Sequence, residues 1–371
     1  MRVTVTIMCL FLVFSGVIVA DVYAATDAID VQWWPEAQVV HVGSQVDLQL
    51  YLVPNVPVTW PISALDVIVL HSKDGTGTPY LTYQGFHTTD APYEWFASGL
   101  PSTSPDGINV DKYDGEFIYT AFAEPGEPAY VPPSGLLVST FQFLAQTVVA
   151  DSSIITPATY GSRCKTAVWD GTLPNKNVVG LRGSAKVMVV PQDVQIASSV
   201  AESKSFEEET QVAFVGAVVT RSFDNFFYIE DQNRAGGIRV NFIGEAPAEG
   251  NIPMVWGVIR VVDGERVIDD ASVSAGGSGN IPGSLAMNCT APFVGLNPQG
   301  LLVTLSGRAD SVSGASEFFL NDGSPNPVRV ELHGFGAPPN QSFVSVTGVL
   351  GADSYGPVLR VRHASNVIVA Q

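Results

Sequence analysis

The residues of this 371-residue chain that can bind a metal or move a proton are few and scattered. Its five histidines, His41, His71, His87, His333 and His363, show neither the H-x-H nor the H-E-x-x-H spacing that sets two ligands on one face. They read as isolated strand or loop residues, and no metal site is expected. The chain contains no G-x-S-x-G elbow, no phosphate-binding Walker loop and no C-x-x-C pair. The densest set of oxygen donors is DGINVDKYDG at 106–115, with Asp106, Asn109, Asp111 and Asp114. A calcium loop needs ligands at positions 1, 3 and 5 and a glutamate at 12. This stretch has neither, and is expected to be an acidic, turn-rich loop. Glycosidase carboxylates are set by distance in space, not by spacing in sequence, and acidic loops alone do not make that case. The chain is therefore read as non-catalytic, with no cofactor.

Aromatic side chains are the remaining candidates for recognition. Trp33, Trp34, Trp60 and Trp95 all fall in the first third of the chain, and an exposed indole can stack on a sugar ring. Neighbouring strand residues point to opposite faces, so one of Trp33 and Trp34 is expected to be exposed. The other reading is that Trp34-Pro35 starts the domain and caps its open end. These four tryptophans are the candidate ligand contacts. Arg239 and Arg329 stand at matching places in two similar segments. They are expected to be strand residues paired with nearby acids, the alternative being a small anion site.

The elements that must position these residues are strands. Past residue 25 no window keeps an apolar 3.6-residue period for three turns, whereas alternation is common. Val46, Leu48, Leu50 and Leu52 share one face of QVDLQLYL, and Asp47, Gln49 and Tyr51 take the other. Turn signals such as Asp74-Gly75, Asp114-Gly115, Asp263-Gly264 and Asp322-Gly323 separate the candidates, in a chain with 35 glycines and 25 prolines. Short strands with Gly/Pro-rich connections predict an all-β protein of sandwiches or barrels. The 36 acids outnumber the 18 bases, and the resulting charge of −18 disfavours nucleic acid and anionic membranes as partners.

Residues 1–24 have the form of a signal peptide: Arg2, an apolar run at 7–20, and Val22-Tyr23-Ala24 for cleavage. The run is short of the ~20 residues that span a bilayer. Export is expected, to a secreted, periplasmic or cell-surface address. Cys164 and Cys289 are expected to be buried free thiols, a disulfide being the alternative.

Two later segments repeat each other. AFVG at 213–216 matches TLSG at 304–307, FYIED at 227–231 matches FFLND at 318–322, and IRV at 238–240 matches VRV at 328–330. Trp256-Gly257-Val258 matches Thr347-Gly348-Val349, and Asp270-Ala271-Ser272 aligns with His363-Ala364-Ser365. Offsets of 90 to 93 residues with small drift indicate an internal duplication. The expected divisions are a first domain at 27–190, a linker at 191–203, repeats at 204–276 and 299–371, and a second linker at 277–298.

Each repeat, with its pattern G-x-V, F-Y-I-E-D, G-I-R-V, G-x-I and A-S-V, resembles the OB-fold-like modules of exported bacterial proteins. That resemblance implies small closed five-stranded barrels. Oligonucleotide binding, common among OB folds, needs a basic groove, and residues 204–371 carry 10 bases against 17 acids. The first domain, with VVHVGSQVDL at 39–48, ISALDV at 62–67 and LVSTFQF at 137–143, resembles cohesin-like domains. It departs from that pattern at HSKDG, 71–75. The resemblance implies a nine-stranded jelly roll. The expected fold is thus an all-β chain with an N-terminal jelly-roll sandwich and two tandem OB-like barrels. The expected role is an exported binding or adhesion protein facing a protein or polysaccharide at the cell envelope. The alternatives are a structural spacer, or an accessory module of a carbohydrate-active system.

Overall fold

Alternation is realised directly in Gln45–Pro54, where Val46, Leu48, Leu50 and Leu52 are fully buried and the intervening side chains face outward. The computed structural model describes residues 28–293, 298–312 and 314–370. The expected signal peptide lies outside the described residues. Among them the elements are almost all strands, the one α-helix being the single turn Val200–Ser203.

The N-terminal sandwich packs two sheets. One runs, in spatial order, Val179–Arg182, Ile29–Trp34, Gln45–Pro54, Leu136–Ala145 and Leu81–His87. The other runs Ala37–His41, Ser184–Val190, Val149–Ile155, Ala64–His71, Glu116–Phe122 and Ala97–Gly99, and Ala167–Trp169 also pairs with Ala64–His71. The chain's first and last sandwich strands each step from one sheet to the other. Ile29–Trp34 lies parallel to Val179–Arg182 in the first sheet, and Ala37–His41 lies parallel to Ser184–Val190 in the second. Gly183 marks the step. A Cβ there would come within 3.0 Å of the Val31 carbonyl oxygen, so a side chain would push the crossing pair apart.

Between the sheets sits an aromatic core centred on Phe141. Trp33, Phe117 and Tyr119 lie at ring-centroid distances of 5.4, 5.8 and 5.1 Å from it, and Phe86 at 6.1 Å. His71 is buried beside this group, edge-on to Phe117 and Phe143, with Nδ1 2.8 Å from the Leu81 carbonyl oxygen. Burial pulls its pKa down to about 4. The folded state therefore resists protonation of His71, and acidification from pH 6.5 towards 4 works against the fold. Cys164 and Cys289 are both buried and unbridged, as free thiols packed in apolar surroundings.

The two barrels share one plan. In the first, the five strands are Gln211–Ser222 (broken after Phe214 and resumed at Val218), Phe226–Glu230, Gly237–Asn241, Asn251–Val262 and Glu265–Ser278. The first strand pairs with both the second and the fourth, and the third lies parallel to the fifth, giving a closed order 1-2-3-5-4-1. The second barrel uses Leu302–Ser311, Glu317–Asn321, Val328–Leu332, Phe343–Asp353 and Gly356–Val361 in the same closed order. Gly257 and Gly348 hold matching places on the fourth strands. A Cβ at Gly257 would lie 2.6 Å from Ile268 Cγ2, and one at Gly348 would lie 2.5 Å from the Arg360 carbonyl oxygen.

The repeats differ at two places. The fifth strand is continuous in the first barrel, but in the second a turn at Ala364–Asn366 divides it from Val367–Val369. The register Val255↔Val273 and Val346↔Val367 then sets the offset here at 94, so His363-Ala364-Ser365 is not the exact counterpart of Asp270-Ala271-Ser272. Each barrel also has a short lead-in strand ahead of its first strand. Gln195–Ile196 lies parallel to Val212–Ala213, and Leu285–Ala286 parallel to Val303–Thr304. An aspartate just after the second strand ties each lead-in down. Asp231 accepts from the Val200 and Ala201 amides at 2.8 and 3.1 Å, and Asp322 accepts from the Cys289 amide at 2.8 Å.

Candidate binding face

The barrels meet along a seam, and the chemistry there shows what the outer barrel surface can accept. Alternation in Phe226–Glu230 sends Phe227 and Ile229 into the first barrel and turns Phe226, Tyr228 and Glu230 outward, towards the second. Leu302 and Val349 of the second barrel pack against Phe223 and Tyr228. At the centre, the Tyr228 hydroxyl donates to Glu265 at 2.8 Å. Arg360 Nη1 of the second barrel donates to the Tyr228 oxygen at 2.6 Å and to Glu265 at 3.0 Å. Arg360 also donates to Glu331 at 3.2 Å and to the Ala352 carbonyl at 3.2 Å. Burial alone would lower the Arg360 pKa, but Tyr228, Glu265 and Glu331 raise it overall. The guanidinium stays charged.

Two more contacts fix the seam. Lys204 Nζ donates to the carbonyls of Gly237, at 3.0 Å, and of Gln299, at 2.9 Å, bridging the first barrel to the start of the second. Glu230, fully buried, accepts the Leu302 amide at 2.9 Å through one oxygen, while the other has no hydrogen-bond partner. Burial pushes its carboxyl up to about 7, against the opposing pull of the Leu302 N–H. The folded form therefore holds a proton that the unfolded chain releases near pH 4.5. Stability from this group is complete below 4.5 and is lost as pH rises through 7. Glu230→Gln is expected to raise unfolding stability at pH 8 by about 2–3 kcal/mol and to leave it unchanged at pH 4. Denaturant titrations at the two pH values check this; equal effects at both would mean that folding does not shift the Glu230 carboxyl.

Among the described residues, nothing covers the corresponding outer face of the second barrel at the end away from the seam. There Phe319 stands where the first barrel has Tyr228, and Arg329 where it has Arg239. Phe319 is 46 % exposed and Tyr355, in the turn between the fourth and fifth strands, 88 %. With Phe293, Asn326, Pro327 and Pro357 they line a cleft of about 460 Å³. Arg329 crosses its floor, 3.1 Å from Glu317, in contact with Asp353, and with its guanidinium carbon 5.7 Å from the Tyr355 ring centre. In the first barrel Arg239 is likewise paired, with Glu265 at 3.8 Å, and lies 4.1 Å over the Phe226 ring. Both arginines are thus paired strand residues, as the sequence suggests.

The four tryptophans do not form a common surface. Trp34 is 59 % exposed, while Trp33 is buried against Phe141 and donates to Thr156 Oγ1 at 2.9 Å. Trp95 is buried and packs on Tyr93 at 5.0 Å, and Trp60 is half-buried against the same core. As ligand contacts Trp33 and Trp95 are ruled out by burial, because an indole enclosed in the core has no free face to offer. The 106–115 loop spends its carboxylates locally. Asp106 accepts from the Arg163 backbone and side chain at 2.7 and 3.0 Å, Asp111 accepts the Tyr113 amide and Asp114 the Glu116 amide, both at 3.0 Å. Among the described residues no three His, Cys, Asp or Glu side chains are grouped to hold a metal ion.

No protein-family model matches the chain, and no curated protein does. Among solved structures it is similar to the sixth cohesin of scaffoldin B from Acetivibrio cellulolyticus, solved with a Cel5 dockerin variant. The identity is 14 %, with 44 % of this chain and 99 % of that one covered and a TM-score of 0.31. It is similar to the OlpA cohesin of Clostridium thermocellum in complex with Doc918, at 13 % identity, 44 % and 99 % coverage and a TM-score of 0.31. It is also similar to the cohesin module of a family 33 glycoside hydrolase from Clostridium perfringens, at 10 % identity, 45 % and 100 % coverage and a TM-score of 0.31. At such identities and TM-scores these likenesses carry no argument about what the chain does. Among the described residues no helix is long and apolar enough to cross a membrane.

Proposed function

We propose that the protein is an exported, non-catalytic binding protein of the cell envelope, and that its second barrel presents the face that meets a protein partner. One observation carries this reading. The surface buried under a neighbouring module in the first barrel, around Tyr228 and Arg239, has its counterpart around Phe319 and Arg329 left open. Exposed aromatic rings beside paired charges are the composition of binding hot spots. The net charge of −18 favours basic partners over nucleic acid or anionic lipid.

The test compares the full chain with its Phe319→Ala/Tyr355→Ala double variant on arrays of purified envelope proteins and of glycans. The expected result is at least one ligand whose affinity drops about tenfold or more in the double variant, with melting unchanged. A double variant that keeps every ligand of the parent removes the face from consideration. The tightly fixed seam favours a second reading, a spacer that sets the distance between its ends. It predicts no ligand on either array.

A further inference from the structure

The open cleft is continuous with a surface that already holds a guanidinium. Arg329 and Glu331 stand two residues apart on Val328–Leu332, on its outer side; Glu331 accepts from Arg360 at the seam, and Arg329 lies in the cleft. In the first barrel, the surface of Tyr228, Arg239 and Glu265 receives the Arg360 guanidinium from the next module, with the Phe226 ring centre 5.8 Å from its central carbon. Two guanidinium groups share one carboxylate there, since Glu265 lies 3.0 Å from Arg360 and 3.8 Å from Arg239. A resident arginine therefore does not exclude an incoming one.

The cleft of the second barrel has the same ingredients in different positions. The rings are Phe319 and Tyr355 and the lining carboxylate is Glu317; Arg329, the one cation among the described lining residues, also pairs with Asp353 beside the cleft. With Asp353 counted beside the lining Glu317, two acids stand against one base and leave the neighbourhood of the cleft acidic. We propose that the cleft receives an arginine side chain from a protein partner. The guanidinium would lie against the exposed rings and pair with Glu317 and Asp353, as Arg360 lies against Phe226 and pairs with Glu265. This rests on the reading of that face as a binding surface. Arginine suits the site better than lysine, because its planar group stacks on an aromatic face while its N–H fork meets a carboxylate. Phe319 lacks the hydroxyl that Tyr228 offers Arg360, so the carboxylates must take all the hydrogen bonds.

The test is calorimetric titration of the full chain with a peptide copying its own docking strand, GPVLRVR, residues 356–362. The control peptide carries glutamine in place of both arginines. Binding by the arginine peptide is expected, with the glutamine peptide at least about tenfold weaker. Asp353→Asn and Tyr355→Ala in the protein should each weaken the arginine peptide by about tenfold, which separates the cleft from general attraction to an acidic chain. Equal affinity for the two peptides, indifference to both variants, or no binding at about 1 mM peptide would each overturn the inference. If, in addition, a glycan binds and Tyr355→Ala abolishes it, the face is still a binding surface but its ligand is not an arginine.

Discussion

Arg360→Met is expected to destabilise the pair of barrels by about 3–5 kcal/mol, the usual result of removing one member of a buried ion pair. Glu265 is fully buried and Tyr228 has no exposed surface, so neither can recover the lost partner from water. Arg239, at 3.8 Å, is too far from Glu265 to replace a guanidinium that makes a 3.0 Å contact. Methionine keeps the aliphatic stem, so the loss reports charge and hydrogen bonding more than volume. Adding Glu265→Leu should return most of the stability, because replacing a whole buried pair by apolar groups is near neutral. Calorimetry should also show the barrels melting together in the parent and separately in Arg360→Met. A loss below about 1 kcal/mol would place the cluster in a solvated environment.

Phe141→Ala is expected to cost a similar amount, about 3–5 kcal/mol, but in the sandwich alone. Four aromatic rings lie within 6.1 Å of the Phe141 ring. Those rings come from both sheets and are held by strand pairing on either side, so they cannot collapse into the void. For a domain of this size the loss corresponds to a drop of roughly 10 °C in the sandwich transition. The barrel transition should stay in place. A common shift of both transitions would mean that the sandwich and first barrel melt as one unit through their shared Met188, Val190, Val194, Ala213 and Met254 contact.

What the sequence reveals depends on how far apart the cooperating residues lie. Alternation is local, and it places Gln45–Pro54 and Phe226–Glu230 as strands with the correct faces inward. Applied to the second repeat, the same rule turns Phe319 outward, so half of the cleft was within reach of that reasoning. Tyr355 was not, because a turn residue has no periodicity to orient it. Trp34 is exposed, as alternation against Trp33 requires, but the burial of Trp33 and Trp95 could not be read locally, for a physical reason. Bulk and aromaticity suit a core as well as a platform, and burial is decided by partners such as Phe141, which is 108 residues from Trp33. The Tyr228–Glu265–Arg360 cluster joins residues up to 132 apart. Nothing local distinguishes such residues from solvated strand positions. Gln195–Ile196 lies in a stretch that is polar by composition, and a two-residue strand is too short to alternate.

The lead-in strands have a mechanical consequence. Each runs parallel to the first strand of its barrel, and its far end is pinned by an aspartate on the barrel itself. A pull along the chain from the preceding module therefore acts along the strand axis, not across it. Hydrogen bonds loaded in that direction share the force and fail together, whereas a peeled edge yields one bond at a time. Each junction between modules is thus loaded in shear when the chain is drawn out along that strand axis.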